Sequence, residues 1–157
     1  MKILFLDFDG VLNSQKFIRS CNECGAVIDP SKMVLLKTLI AETKAKIVLS
    51  TSWREHWDKN PDLCDEIGLK INKVFNEHNL EIYDKTPRLN LLREEEIKAW
   101  LDECSDVKEY VVLDDALLSA DFLMGHFVKT SDYFGGLDEN DVKKAIEILS
   151  DCEEERK

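Results

Sequence analysis

The sequence predicts an α/β fold, a three-layer sandwich in which helices cover both faces of a central parallel sheet. Three observations carry that expectation. Short apolar runs at residues 2–8, 46–49 and 110–113 lack the alternation of a half-solvated strand, as strands covered on both faces do. Segments of helical periodicity separate them, which gives parallel strands the right-handed crossovers they need. Each run also meets acidic or hydroxylated residues where it ends, and ligands of open parallel sheets bind beyond the carboxyl ends of the strands.

Taken in order, Lys2 to Phe8 (KILFLDF) is expected as a buried central strand. Asp29-Pro30 supplies an N-cap and a proline at the first helical position, and Met33, Leu36, Leu39 and Ile40 continue one amphipathic helix to about Thr43. Lys46 to Leu49 is a second buried strand, stopped by Ser50-Thr51-Ser52. Asn60-Pro61 begins a short helix with Gly68 as its stop, Ile71 to Phe75 is read as a strand, and Asp84 to Asn90, containing Pro87, as a loop. Leu92, Ile97, Trp100 and Leu101 mark a helix of about three turns. Tyr110 to Leu113 is the third apolar strand and ends in Asp114-Asp115, and Phe127 to Thr130 is a further short one. After the Gly135-Gly136 break, Asp138 caps a last helix with Val142, Ala145, Ile146 and Leu149 on one face.

Composition bounds what such a molecule does. The 157 residues suffice for one domain, expected over 1–150, with 151–157 as a frayed acidic tail. No apolar run approaches the roughly 18 residues of a membrane span, and Asp7 interrupts the first apolar stretch, so neither a membrane partner nor a secretory signal is expected. A net charge of -11 opposes broad nucleic-acid binding, though not recognition of a single terminal phosphate. The five cysteines, an odd number, are read as reduced thiols of a cytoplasmic protein. Cys21 and Cys24 have the spacing of half a zinc site, but no second pair completes it, and ordinary loop thiols are the expectation.

The strand ends carry the chemistry. The first delivers Asp7 and Asp9, the second Ser50 and Thr51, and the third Asp114 and Asp115, so four carboxylates are expected around one crevice. Two such charges about 4 Å apart repel by roughly 4 kcal/mol at an effective dielectric near 20, which calls for a cation or raised pKa values. A hard, oxygen-seeking ion follows, and magnesium is the expected one, with Asp7, Asp9, Asp114 and Asp115 around it. The spacing in Asp7-Phe8-Asp9-Gly10 suits phosphoryl transfer. One carboxylate attacks phosphorus in line, the second reaches the leaving oxygen as an acid, and Gly10 permits the turn between strand and loop.

Asp7-Phe8-Asp9-Gly10-Val11-Leu12, a hydroxyl residue ending the second strand and an acidic pair ending a later strand together resemble the haloacid dehalogenase (HAD) superfamily of phosphotransferases, in the same motif order over residues 3–115. Ile47 to Arg54 (IVLSTSWR), Arg93-Glu94-Glu95-Glu96-Ile97 and Asp114-Asp115 further resemble the small phosphatase domains of RNA-repair proteins and of phage polynucleotide kinase. The resemblance implies a Rossmann-like fold, Asp7 as nucleophile, Asp9 as general acid and then base, Ser50 as a phosphate ligand, and Asp114 with Asp115 on magnesium. It also implies a basic residue that neutralises the phosphoryl oxygens. Arg93 is favoured for it and Lys85, beside Thr86-Pro87, is the rival. Thr51 replaces Ser50 as the ligand if the strand runs one residue longer, and Arg54 is a further candidate phosphate contact beside Trp53, whose ring either stacks a base or, as is commoner for an aromatic at a strand end, packs the rim. The stretches where this superfamily inserts large lids hold only about 20 and 40 residues here, so an open site without a large cap is expected.

The expected function is therefore a magnesium-dependent phosphomonoester hydrolase working through an aspartyl-phosphate, on terminal phosphates of nucleic acids or nucleotides. Two alternatives stand beside it: a general small-molecule or phosphoprotein phosphatase, and a catalytically silent magnesium- or phosphate-binding regulatory module. Asp9 argues against silence, since a module that only binds has no use for a leaving-group acid. A receiver domain of two-component signalling carries its acidic pair after the first strand, the reverse of the order here.

Overall fold

A computed structural model of the chain describes residues 1–21 and 27–154, the last four in backbone only. Five strands form one sheet: β1 (Lys2–Leu6), β2 (Lys46–Leu49), β3 (Ile82–Lys85), β4 (Glu109–Asp114) and β5 (Phe127–Lys129). They run parallel in the order β3-β2-β1-β4-β5, with β1 in the centre. Helices α1 (Gln15–Ser20), α2 (Pro30–Thr43), α3 (Glu66–Glu77), α4 (Arg93–Glu103) and α5 (Glu139–Glu154) connect or follow the strands.

Alternate residues of β1 enter two cores. Leu4 and Leu6 pack with Met33, Leu36 and Leu39 of α2, Ile71 and Phe75 of α3, and Ala145 and Leu149 of α5. Ile3 and Phe5 pack with Ile97 and Trp100 of α4, and the Phe5 and Trp100 rings meet edge to face at 5.4 Å. Burial on both faces is why the strand reads as an unbroken apolar run, and the three-layer α/β sandwich is the architecture observed. Among the described residues, the stretches after β1 and β2 fold into the layers themselves and build no lid domain.

Several boundaries differ from the sequence reading. The first strand stops at Leu6, two residues short of Phe8. Residues 71–75 are helical, not extended: Ile67, Ile71 and Phe75 recur at four-residue spacing along α3, the half-buried or buried face of a helix. Gly68 is no helix stop. It lies in the first turn of α3, where a β-carbon would come within 1.9 Å of the His56 carbonyl oxygen. Asn60 caps only the three-residue 3₁₀ turn Pro61–Leu63, and Asp65 caps α3 through the amides of Ile67 and Gly68. Asp84 and Lys85 belong to β3, an edge strand in which Ile82 alone is fully buried, too little apolar signal to be read as one. Helix α1 lay within a stretch read only as polar.

The last helix is capped as expected, with Asp138 and Asp141 each accepting the other's amide at 2.8 and 3.1 Å. It continues past Asp151 to Glu154, beyond the point where fraying is expected, and residues 155–157 of the expected tail lie outside the described residues. Cys24 of the Cys21/Cys24 pair also lies outside them. Among the described residues no helix is long and apolar enough to cross a membrane.

Candidate active site

Sheet register builds the site. Leu6 pairs with Leu49 on one side and Leu113 on the other, so the next residue of each strand, Asp7, Ser50 and Asp114, falls in one row. The ladder carries on past the strand ends: the Ser50 amide donates to the Leu6 carbonyl at 3.0 Å and the Asp7 amide to the Leu113 carbonyl at 3.1 Å. Oxygens of Asp7, Asp114 and Asp115 lie within 4.8 Å of one another. Asp7 is 3% exposed and Asp114 fully buried.

Arg93, the first residue of α4, closes this cluster. Its Nη1 lies 2.9 Å from Asp7 Oδ2 and 2.6 Å from Asp114 Oδ2. A cation at a helix N-terminus opposes the helix dipole, and here the two carboxylates outweigh that cost. Burial is the largest influence on Asp7 and pushes its pKa up to about 7; Arg93 opposes the shift, while Asp114 and Asp115 add to it. Burial and the neighbouring Asp114 also raise Asp115. Burial acts to lower the Arg93 pKa, but Asp7 and Asp114 outweigh it and raise the pKa.

Asp9 is set apart from the other three carboxylates. It is exposed, and its two oxygens accept from Asn13 Nδ2 at 3.0 Å and Trp53 Nε1 at 2.9 Å. The expected ring of four carboxylates is therefore a cluster of three, because the turn after Phe8 carries the Asp9 side chain toward the loop beyond β2. That turn depends on Gly10, at φ +78°, where a β-carbon would sit 2.3 Å from Asp115 Oδ2. Asn13 also accepts the Gly10 amide at 3.0 Å and donates to the Val27 carbonyl at 2.9 Å, and Thr130 donates to the Gly10 carbonyl at 2.7 Å. Sequence reasoning missed Asn13 and Thr130, and for Trp53 it weighed base stacking against rim packing without seeing a bond to Asp9. An asparagine three residues past a turn glycine was the one available signal.

The remaining candidates separate clearly. Ser50 stands beside Asp7 in the row, 1% exposed, and its hydroxyl is a buried side-chain oxygen with no hydrogen-bond partner among the described residues. Thr51 is occupied as a cap, its Oγ1 accepting the Trp53 amide at 3.3 Å. Lys85 turns away from the acidic cluster: its Nζ donates to the Trp57 carbonyl at 2.5 Å and pairs with Asp58 at 3.6 Å. Arg54 does not join the cluster either. It is buried, paired with Glu96 at 2.5 Å, and donates to the Thr51 and Thr86 carbonyls at 2.9 and 3.2 Å, so it ties the loop after β2 to α4. The acidic run at the start of α4 is accordingly more than a response to the helix dipole. Glu95 accepts the Leu92 amide at 2.9 Å, and Glu96 holds Arg54 and accepts the Leu89 amide at 2.7 Å.

The donor set suits a hard divalent cation. Three carboxylates and one guanidinium leave a formal charge of -2 in a largely buried space, and every candidate ligand atom is an oxygen. Asp7, Asp114 and Asp115 are the residues that would hold it.

No curated protein matches the chain. Residues 3–142 match the family model described as the HAD domain in Swiss Army Knife RNA repair proteins, a span that takes in all of the sheet but Lys2 and every candidate site residue just described. The chain belongs to that HAD domain family, whose scaffold is that of a phosphatase-type hydrolase.

Proposed function

We propose that the protein hydrolyses phosphomonoesters in a magnesium-dependent reaction through an aspartyl-phosphate on Asp7, and that its substrate is a terminal phosphate of a nucleic acid or nucleotide. The observation that carries this reading is the single row Ser50-Asp7-Asp114 with Arg93 bridging its two carboxylates. The substrate part rests on the family's description and on the absence of a lid among the described residues, which suits a large substrate.

An oxygen of Asp7 attacks phosphorus in line, and the bond between phosphorus and the leaving ester oxygen breaks. Asp9, two residues on and facing solvent, gives that oxygen its proton. Asn13 and Trp53 fix the direction from which the proton comes. Asp9 then takes a proton from a water that attacks phosphorus, which frees inorganic phosphate and returns Asp7 as a carboxylate. Arg93 supplies positive charge to the transferring phosphoryl oxygens, and the unpartnered Ser50 hydroxyl supplies a hydrogen bond. Bound magnesium would neutralise the phosphate and lower the pKa of Asp7, so that the nucleophile is ionised at neutral pH.

The test is a panel of phosphomonoesters that includes nucleotides, 3'- and 5'-phosphorylated oligonucleotides and phosphopeptides, with magnesium or with chelator. Rapid acid quench followed by peptide mass mapping should find one phosphoryl group on the Asp7 peptide of the native protein and none on Asp7→Asn. Full turnover by Asp7→Asn would overturn the mechanism.

A further inference from the structure

We propose that the cleft between α1 and the loop after β5, lined by Gln15, Lys16, Arg19, Asp132 and Tyr133, binds the single-stranded nucleotides that adjoin the phosphate removed at Asp7. The proposal rests on the phosphatase reading and specifies its substrate class as a nucleic-acid end. The cleft encloses about 460 Å³.

Its place in the fold ties it to the reacting groups. Helix α1 begins two residues after Asn13, which holds Asp9. The facing loop is pinned to the same turn at several points. Asp132 Oδ1 accepts the Gln15 amide at 2.9 Å, the Leu137 amide donates to the Val11 carbonyl at 2.9 Å, and Ser131 pairs with Gly136 in an antiparallel bridge. Gly136, at φ +81°, leaves no room for a side chain, because a β-carbon would lie 2.7 Å from the Asn13 carbonyl oxygen. Asp132 is near enough to Asp115 to contribute to its raised pKa.

The chemistry of the walls selects the occupant. Tyr133 and Phe134 are 88% and 84% exposed and meet edge to face at 5.0 Å. Two large rings held out to solvent on a pinned loop lose apolar burial for nothing unless something covers them. Lys16 and Arg19, three residues apart and on one side of α1, are both exposed, and among the described residues Arg19 makes a 3.5 Å hydrogen bond to Gln15 Oε1. In a chain of net charge -11, this pairing of cations with exposed rings is a local reversal of the surface character. Backbone phosphates match the cations, and bases match the rings, since every base has a stacking face. Among the described residues Asp132 is the one acidic group on the walls, and its Oδ1 accepts the Gln15 amide. A phosphopeptide offers the phosphate but neither a repeating anionic backbone nor a planar base, so the observations favour a nucleic-acid strand.

The experiment compares native protein with Lys16→Ala/Arg19→Ala and with Tyr133→Ala/Phe134→Ala, using 3'- and 5'-phosphorylated oligonucleotides, phosphopeptides and p-nitrophenyl phosphate. The ratio of kcat/KM on the preferred oligonucleotide to that on p-nitrophenyl phosphate should fall about tenfold or more in both double variants, mostly through KM. The dependence of binding on salt should weaken by roughly two phosphate contacts in the basic double variant, and Tyr133→Phe should keep the native ratio, since stacking does not need the hydroxyl. Fluorescence anisotropy of a labelled, phosphorylated oligonucleotide on Asp7→Asn protein, with and without the cleft substitutions, reads binding apart from catalysis. Loss of binding with the cleft substitutions supports the cleft even if no phosphatase activity is found, an outcome that would defeat only the phosphatase reading. An unchanged ratio with unchanged anisotropy, or a selective loss on phosphopeptides, would overturn the proposal.

Discussion

Among single residues, the division of labour turns on where each cation goes. Arg93 and Lys85 both precede the acidic pair, and the sequence favours Arg93 over its rival Lys85 as the charge that meets the phosphoryl group. In the fold Arg93 touches Asp7 and Asp114, whereas Lys85 is held by the Trp57 carbonyl and Asp58. Arg93→Ala should therefore lower kcat/KM by two or more orders of magnitude, about 3 kcal/mol of transition-state stabilisation. Lys85→Ala should act mainly on stability and leave kcat/KM within a few-fold of native, and steady-state kinetics on any accepted phosphomonoester separates the two. A greater kinetic loss in the Lys85 variant would reverse the assignment. Asp9→Asn should slow turnover by roughly 100- to 10,000-fold, the usual worth of a placed acid. The Ser50 and Asp114 positions were legible in the sequence because a residue just past a buried strand has few places to go. The partners of Asp9 were not legible, since Trp53 lies 44 residues away and meets it only through the pairing of β1 with β2.

Elements that carry no reacting group still set the site's precision. Helix α3 packs against the 3₁₀ turn Ser52–His56 that carries Trp53 and Arg54, and Gly68 is where the two backbones meet. Replacing glycine by alanine inside a helix normally gains up to about 1 kcal/mol. Here the new β-carbon would fall 1.9 Å from the His56 carbonyl oxygen, a backbone atom that also accepts the Asp65 amide at 3.3 Å and cannot swing aside. The clash wins, and Gly68→Ala should lose roughly 1–3 kcal/mol in urea denaturation. A variant as stable as the native protein would mean that α3 can shift without cost. The sequence reading failed here for a related reason. Conformational freedom alone marks Gly68 as a helix stop, yet its role is close approach, which depends on a neighbour that only packing supplies.

For the whole molecule, the buried acids couple stability to pH and to metal. Asp7 has a folded-state pKa of about 7 against an ordinary 3.8, so the folded state holds a proton that the unfolded chain releases. Its contribution to stability is complete below about pH 4, declines as pH rises, and is lost above about pH 7; Asp115 acts in the same direction. In chelator, Asp7→Asn, which mimics the uncharged carboxyl, should match native protein near pH 4 and exceed it in stability at pH 8. Denaturant melts across that range check it, and a difference that does not change with pH would show that Asp7 titrates normally. At pH 8 magnesium should raise the native melting temperature. A hundredfold excess over Kd is worth about 2.7 kcal/mol, several degrees for a domain of this size. Asp114→Asn should abolish most of that rise, and a melting temperature indifferent to millimolar magnesium would count against the metal.

Four of the five strands, the central place of the first and the order of the strand-end motifs are legible in the sequence, because they follow from local apolar runs and from the rule that parallel strands open their chemistry at one end. Asp7 as the candidate nucleophile comes from the family resemblance those motifs carry, and the edge strand β3 escapes a reading by apolar runs. Packing between distant segments is what brings Arg93 rather than Lys85 or Arg54 to the acids, sets Asp9 apart with Asn13 and Trp53, and makes 71–75 helical. It also places the exposed Tyr133 ring in a cleft with Lys16 and Arg19 of α1, beside the nucleophile turn. Periodicity and turn chemistry are encoded within a few residues, whereas the partner of a charge is chosen by register and packing between segments far apart in the chain.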